Sequence, residues 1–468
     1  AHRQCVTACG EIGAIDFERA ERSRNDRFDM VLDLSDRPLI GIPQPPQGYL
    51  APGRDPLEQA LAANRLAQLT GEFEKPRFVA YRENICAHGR NKITGCTRCL
   101  DVCSTAAISS KGNHVAVDLH LCMGCGGCAT SCPSGAMSYI YPRVADMGLR
   151  IKTVLQTYAR AGGRAACLLF HNAEAGRELV LKQGRRGAGL PARVIPLEAV
   201  HIASLGIDLM LGSIALGASQ FVILSDGSEP AGYRDLLRQQ MAVAQSVLAG
   251  LGYGEGHFKL IEAEDEAELE REIRKLAPAQ SPATAAVFGL SNDKRTTLDF
   301  AFDYLLKHAP APQQELPLPA GAPFGAVSVN RETCTLCMAC VGACPEKALL
   351  DSKETPQLRF IERNCVQCGL CEKTCPEDAI TLTPRLRLAK DAKTGTVLNQ
   401  AEAAKCIRCG KSFATQQMVA GMLARLKTHS MFTDPGALNR LRMCGDCRVI
   451  DMVQSAPQAS ILNMSKKS

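Results

Sequence analysis

Cys365-Val-Gln-Cys368-Gly-Leu-Cys371-Glu-Lys-Thr-Cys375-Pro376 sets four cysteines at the spacing C-x2-C-x2-C-x3-C and closes on proline. Thirty-one residues upstream, Cys334, Cys337, Cys340, Cys344 and Pro345 repeat it. A cubane iron-sulfur cluster needs four soft thiolates at tetrahedral corners, and a tight loop with a cysteine at every third position supplies three of them. The fourth must come from elsewhere. A zinc site or a disulfide framework is the competing reading, and eight cysteines in two proline-closed runs weigh against both.

Working outward, the first third of the chain holds a second pair of runs, one step less regular. Cys122, Cys125, Cys128, Cys132 and Pro133 are complete, whereas Cys96, Cys99 and Cys103 lack the expected cysteine before Cys96. Cys86 lies ten positions before Cys96, across AHGRNKITG. Loop-closure entropy grows only with the logarithm of length, so an insertion there is tolerable and Cys86 can serve as the missing ligand. The alternative is a three-iron or labile cluster lacking a cysteine at that corner. Each run follows an alternating apolar and polar stretch, as in RFVAYRENIC, HVAVDLHLC, GAVSVNRETC and LRFIERNC. Small helical turns and second apolar stretches are expected after the fourth cysteines, as in SGAMSYI, EKALLD and EDAITL. The repeat reads as strand, cluster loop, helix and strand, four times in two pairs.

Over residues 77–141 and 326–385 the chain resembles the bacterial dicluster ferredoxins. The resemblance implies four 4Fe-4S clusters, each run giving three ligands to one cluster and its fourth to the neighbour. The expected sets are Cys86, Cys96, Cys99 and Cys132; Cys122, Cys125, Cys128 and Cys103; Cys334, Cys337, Cys340 and Cys375; and Cys365, Cys368, Cys371 and Cys344.

Of 23 cysteines nearly all fall into ligand spacings, and thiolates must stay reduced to bind iron, so a reducing, cytoplasmic setting is expected. The longest apolar tract, Ile202 to Leu224, contains Asp208, Gln220 and a break at Gly217, which favours a buried helix and strand over a membrane span. The formal charge of +6 is local: residues 385–468 hold fourteen Lys and Arg against five Asp and Glu, leaving the rest at −3. Four thiolates around a cubane core of about +2 add about −2 per cluster, so the loaded protein is not basic and nucleic acid is not an expected partner. The basic tail reads as a solvated surface or as a dock for an acidic partner.

Between Gly163 and about Pro310 the cysteines nearly vanish. ACLLFH, ARVIPLEA, FVILSD, FKLIEAE and AAVFGL read as strands alternating with helices, notably Tyr233 to Ala249 and Glu264 to Leu276, which predicts a flavodoxin-like parallel sheet. SDGSEPAGY at Ser225 to Tyr233 occupies the strand-to-helix position where such sheets place ligands, but no G-x-G-x-x-G or G-K-[ST] run supports a nucleotide or flavin. Gly184, Gly187 and Gly189 with Arg185 and Arg186 read as a basic loop or an anion site. From HNAEAG to the long helix this part resembles the delta subunit of methyl-viologen-reducing hydrogenase and its relatives in heterodisulfide reductase complexes. That resemblance implies a 2Fe-2S centre on loop cysteines, whereas these loops carry His171, Asn172, Ser225 and Glu229. Cys167 in the adjoining strand reads as a small buried hydrophobe.

Near the C-terminus, Cys406-x2-Cys409 and Cys444-x2-Cys447 offer a closed shell of four thiolates for a zinc-ribbon-like site or a fifth cluster, with a helix-like stretch from Phe413 to Lys427 between them. Cys5 and Cys9 look like the tail of another cluster loop. A longer chain, ligands from a partner, and ordinary thiols are the three readings. PLIGIPQPPQGYLAPGRDP reads as a strap, followed by a helix from Pro56 to Leu69.

The expected architecture is mixed α/β and α+β: residues 1–76, a first dicluster module at 77–145, the α/β domain at 146–310, a linker at 311–325, a second module at 326–388, and the four-cysteine segment at 389–468. The expected function is electron transfer, two modules joined through the α/β domain, inside a hetero-complex with no membrane span. Polyferredoxins of this layout are found with formate dehydrogenase systems, which implies such a partner or a hydrogenase or heterodisulfide-reductase-like one. A redox-sensing or assembly protein using the four-cysteine tail, and a flavin oxidoreductase, are the alternatives. No nucleophile, base and oxyanion constellation marks a catalyst.

Overall fold

The computed structural model describes residues 30–40, 45, 48–69, 71, 74–352, 355–429, 432 and 435–455, and the chain divides into two compact units, 1–75 and 76–468. Cys5, Cys9 and part of the proline-rich segment lie outside the described residues. In the first unit, strands β1 (Val31–Leu32) and β2 (Tyr49–Leu50) pair in parallel. The Asp33 carboxylate gathers the chain between them, accepting from Leu39 N at 2.8 Å, Ser35 N at 3.0 Å and the Tyr49 hydroxyl. Helix α1 (Pro56–Gln68) starts where Asp55 accepts from Leu57 N and proline fills the first turn, whose N–H groups lack intrahelical acceptors in any helix.

The second unit opens with β3 (Val79–Tyr81), then the hairpin β4 (Gly89–Arg90) and β5 (Ile93–Thr94), helix α2 (Arg98–Asp101), the hairpin β6 (Ile108–Lys111) and β7 (His114–Val117), helix α3 (Gly127–Ser131) and β8 (Met137–Tyr139), which closes antiparallel on β3. Helix α4 (Val144–Arg160) leads into the α/β domain.

There the order is β9 (Cys167–His171), α5 (Ala175–Arg186), β10 (Val194–Glu198), α6 (Ile207–Ala215), β11 (Gln220–Ser225), α7 (Ala231–Gly250), β12 (Phe258–Glu262), α8 (Glu266–Arg274) and α9 (Lys294–Lys307). All four strands are parallel and lie in the order β10-β9-β11-β12. Alternate residues face opposite sides: Leu168, Phe170, Phe221 and Ile223 pack with α4, α6, α7 and α9, while Cys167, Leu169, Val222 and Leu224 pack with α5 and α8. The tract from Ile202 to Leu224 is a fully buried helix followed by a buried strand, and among the described residues no helix is long and apolar enough to cross a membrane.

The fifth expected strand, AAVFGL, is not one. Ala286 N donates to Ala215 O at the end of α6, Leu290 packs on Gly148 and Gly212, and Val287 is 84% exposed, so the stretch caps buried helices instead of joining the sheet.

The second module contains β13 (Glu315–Pro317), β14 (Gly325–Val329), α10 (Ala339–Ala343), β15 (Leu349–Leu350), β16 (Gln357–Phe360), α11 (Leu370–Thr374) and β17 (Ile380–Arg387). β17 pairs antiparallel with both β13 and β14. The segment expected to be a linker thus supplies a strand, because Leu316 is buried against Gly250 of α7. From the expected tail, β18 (Thr396–Gln400) adds to β16. The hairpin β19 (Ala403–Lys405) and β20 (Ser412–Thr415) and helices α12 (Gln416–Leu426), α13 (Pro435–Arg440) and α14 (Gly445–Ser455) complete the described chain.

Candidate iron-sulfur centres

Each complete run owes its shape to left-handed residues on both sides of its second cysteine. Gln367 (φ 52°) and Gly369 (φ 79°) flank Cys368, Leu336 (φ 55°) and Met338 (φ 59°) flank Cys337, and Gly124 (φ 73°) and Gly126 (φ 80°) flank Cys125. Left-handed backbone turns the loop inward so that three thiols converge, and outside glycine it is costly. The helical turn runs from about the third cysteine to the fourth, not after it: α3 ends at Cys132, α10 at Cys344 and α11 at Cys375. Three residues past each fourth cysteine the backbone turns left-handed again, at Ala106, Gly135, Lys347 and Asp378. That turn aims backbone N–H groups at sulfur: Met137 N to Cys132 Sγ at 3.4 Å, Ala348 N to Cys344 Sγ at 3.3 Å and Ala379 N to Cys375 Sγ at 3.3 Å. Donors to sulfur stabilise the more negative, reduced state.

The thiols gather across the two runs of each module. Cys344, Cys365, Cys368 and Cys371 line one cavity with Val327, Leu349, Phe360 and Leu382 as its apolar wall. Cys334, Cys337, Cys340 and Cys375 line a second, closed by Leu336, Leu358 and Ile380. Burial pushes the Cys340 thiol up to about 12, and Cys337, Cys334 and Cys375 add to the rise. Burial likewise raises Cys99 to about 12, helped by Cys132, Cys96 and Cys86, and it raises Cys125 with help from Cys103 and Cys122. Four thiols crowded in a dry pocket resist ionising together unless a cation sits among them, so the donor set fits an iron-sulfur cubane.

Cys86 reaches its group across nine intervening residues, where the regular runs have two. Gly89 to Thr94 form a tight hairpin with Asn91 and Lys92 in left-handed conformation, and the ladder continues as Gly95 N to His88 O (2.7 Å) and Cys96 N to Ala87 O (2.9 Å). His88 locks the base, Nδ1 donating to Cys96 O at 2.9 Å and Nε2 hydrogen-bonded to the Ser110 hydroxyl at 2.7 Å. Two residues far apart in sequence are thereby placed side by side.

Three side chains of the α/β domain reach the centres, and sequence reasoning missed all of them. Lys294 Nζ, at the start of α9, donates to Ala129 O (2.6 Å), Thr130 O (3.0 Å) and Cys132 O (3.0 Å) in the first module. Its neighbour Arg295 donates to Arg363 O and Cys365 O in the second module and lies 4.6 Å over the Phe324 ring. Tyr233 of α7 hydrogen-bonds the Ser104 hydroxyl and approaches Cys125, and burial raises its hydroxyl well above the usual tyrosine range. A lone Lys-Arg pair carries no spacing signal; only its register at a helix start, after the Asp293 cap, could have singled it out. Farther along α9, Asp299 meets Arg363 at 2.6 Å and Asp303 meets Lys393 at 2.8 Å.

The two modules, expected to face each other across the α/β domain, touch directly. Lys373 Nζ donates to Thr94 O at 2.8 Å, and Cys96 is among the groups that, after burial and Cys365 and Cys344, push the Cys368 thiol up to about 12.

Cys406, Cys409, Cys444 and Cys447 are arranged differently. Their sulfurs all lie within 4.8 Å of one another, with Cys409 and Cys444 Sγ 3.7 Å apart. Four thiolates bonded at about 2.3 Å to one tetrahedral ion sit about 3.8 Å apart, so the spacing matches a single metal ion. Burial opposes ionisation of Cys406, yet backbone N–H groups of Cys444, Cys409 and Arg408 donate to it and hold its thiol at about 6. Ile407 N to Arg442 O, 3.2 Å, ties one knuckle to the other.

At the carboxyl edge of the parallel sheet, Asn172 donates to Asp226 (2.6 Å) and Glu229 (3.1 Å), and Ser225 to Glu229 (2.8 Å). These groups satisfy one another. Cys167 sits at the opposite end of β9, fully buried, so no described cysteine stands where a 2Fe-2S centre of the delta-subunit kind would need one.

With these geometries in place, comparison with known families adds an independent observation: residues 333–380 and residues 94–136 each match a family described as a 4Fe-4S dicluster domain. The chain carries two dicluster ferredoxin domains. It is a polyferredoxin-like iron-sulfur protein with a role in electron transfer. No curated protein matches it.

Proposed function

We propose that this chain is the electron-transfer subunit of an oxidoreductase complex and holds four 4Fe-4S clusters. Their ligands are Cys86, Cys96, Cys99 and Cys132; Cys103, Cys122, Cys125 and Cys128; Cys334, Cys337, Cys340 and Cys375; and Cys344, Cys365, Cys368 and Cys371. The observation that carries the proposal is the gathering of thiols across runs, each fourth cysteine standing with three from the neighbouring run. When bound, the clusters supply one-electron chemistry. The chain's own residues hold them dry, donate N–H groups to their sulfurs, and fix their separations.

The α/β domain acts as a flavodoxin-like scaffold: its strand order supports that fold, and its mutually bonded carboxyl edge speaks for a structural role over a flavin site. The knuckle of four cysteines holds structural zinc, in keeping with its single-ion spacing. The thiolate-rich composition suits a reducing cytoplasm, and the redox partner is a formate dehydrogenase or a hydrogenase or heterodisulfide-reductase-like enzyme, on the resemblance drawn above. Iron, sulfide and zinc analysis of anaerobically purified protein tests the reading. About sixteen iron and one zinc per chain are expected. About eight iron would overturn the four-cluster reading, and about twenty iron without zinc would place a fifth cluster in the tail.

A further inference from the structure

The insertion that breaks the regularity of the first run does more than deliver Cys86. Its hairpin ends at Gly95, where the two modules come into close contact: a Cβ there would lie 2.6 Å from Leu370 Cγ, on the cluster-binding helix α11. Leu370 is fully buried, so this is an interior contact and not a graze. One residue away, Lys373 Nζ donates to Thr94 O at 2.8 Å. From the other side, Lys294 and Arg295, consecutive residues of α9, tie Cys132 O and Cys365 O to one helix start. Cys96 follows Gly95, and Cys368 and Cys371 flank Gly369 and Leu370.

We propose that electrons pass between the modules at this hairpin-to-helix contact, with Cys96 and Cys368 as the facing ligands, so that the four centres form one series. The α/β domain then splints the junction and carries no electrons. The order runs from the Cys103, Cys122, Cys125 and Cys128 centre to the Cys86 and Cys96 centre, across to the Cys365 and Cys368 centre, and on to the Cys334 and Cys337 centre. Packing inside the modules supports the outer steps: α2 lies against α3 in the first module, and α10 lies against α11 in the second. Each step is a one-electron exchange in which one cluster is reduced as its neighbour is oxidised; no bond forms and no proton is required. Gly95 is a positioning residue. It acts by its lack of a side chain.

This inference rests on the four-cluster reading, and its test separates the two. Holoprotein is reduced with dithionite, and spin-spin broadening between clusters is read by electron paramagnetic resonance, with iron counted on the same samples. Gly95→Ala is expected to keep about sixteen iron and to lose the part of the broadening that arises between modules, leaving that within each module. A methyl at Gly95 also meets Ala87 O, 2.8 Å away across the hairpin, a strain that changing Leu370 cannot relieve. Recovery of broadening in Gly95→Ala/Leu370→Ala therefore reports the junction itself. Lys373→Met, on an exposed side chain, is expected to weaken the broadening with no loss of iron, and it stands in should Gly95→Ala shed a cluster. Spectra of Gly95→Ala and Lys373→Met that both match wild type at full iron would overturn the junction while leaving the four-cluster reading intact. Wild type with about eight iron would instead remove the reading beneath it.

Discussion

Replacing Lys294 by Met tests how far one side chain of the scaffold secures a cluster lobe. Its ammonium group serves three carbonyls at the C-terminal end of α3, where helix carbonyls have no partner of their own, and the third belongs to Cys132. A hydrogen bond from a charged donor contributes about 1.5–3 kcal/mol. Lys294 is half-buried and its three bonds share one cation, so we take about 3 kcal/mol for the whole group and not three times the single value. Met keeps the length and removes the donors. If the lobe around Cys132 opens locally before iron leaves, a loss of about 3 kcal/mol corresponds to roughly a 100-fold faster release. The assay is anaerobic transfer of iron to a strong chelator, followed by absorbance. A quarter of the iron, that of the Cys86, Cys96, Cys99 and Cys132 centre, should leave in a new fast phase while the rest keeps its wild-type rate. A uniform acceleration of all iron, or release at the wild-type rate, would refute the argument that this lysine holds that lobe.

Other outcomes follow from the same geometry. Cys86→Ser should reduce the iron content at one centre and leave Cys122 to Cys132 loaded, as counted by iron analysis; unchanged iron would remove Cys86 from the ligand set. Cys409→Ser should release the tail metal with no change in iron, and zinc retained at one per chain would contradict the single-ion site. His201 accepts from Ala203 N at 3.1 Å, and burial holds it near 4, below its ordinary 6.5. Only the unfolded state takes up a proton between those values, so its contribution is intact above pH 6.5 and declines as pH falls toward 4. Over the upper half of that window the loss is about 1.5 kcal/mol, and His201→Gln should flatten that slope in denaturant unfolding; an unaltered slope would remove His201 as its source.

The two dicluster modules were legible in the sequence because cluster chemistry fixes the spacing of cysteines, and the parallel sheet because its strands are nearly continuous apolar runs. AAVFGL was misread for an instructive reason: a short apolar stretch looks the same whether it joins a sheet or caps buried helices, and only the position of Ala215 and Leu290 decides. The hairpin between Cys86 and Cys96 appeared only as a gap, since Asn91-Lys92 is a weak turn signal beside the usual Asn-Gly. Lys294 and Arg295 were illegible in principle. Their meaning lies in which carbonyls stand opposite them, and those are set by packing between segments distant in the chain.

The clamp at Lys294 also has a bearing on how the protein is made. Cys132, the last cysteine of the first module, leaves the ribosome 162 residues before the lysine that secures its carbonyl. At about 5–20 residues per second, the interval is of order ten seconds or more. Throughout it, the first lobe has its full complement of thiols but lacks the cation that closes its helix end. On the four-cluster proposal, cluster insertion into that lobe can begin on the nascent chain, while its locking waits for the α/β domain to fold, a timetable in which an early, loosely held cluster is exposed to oxygen and to competing metals.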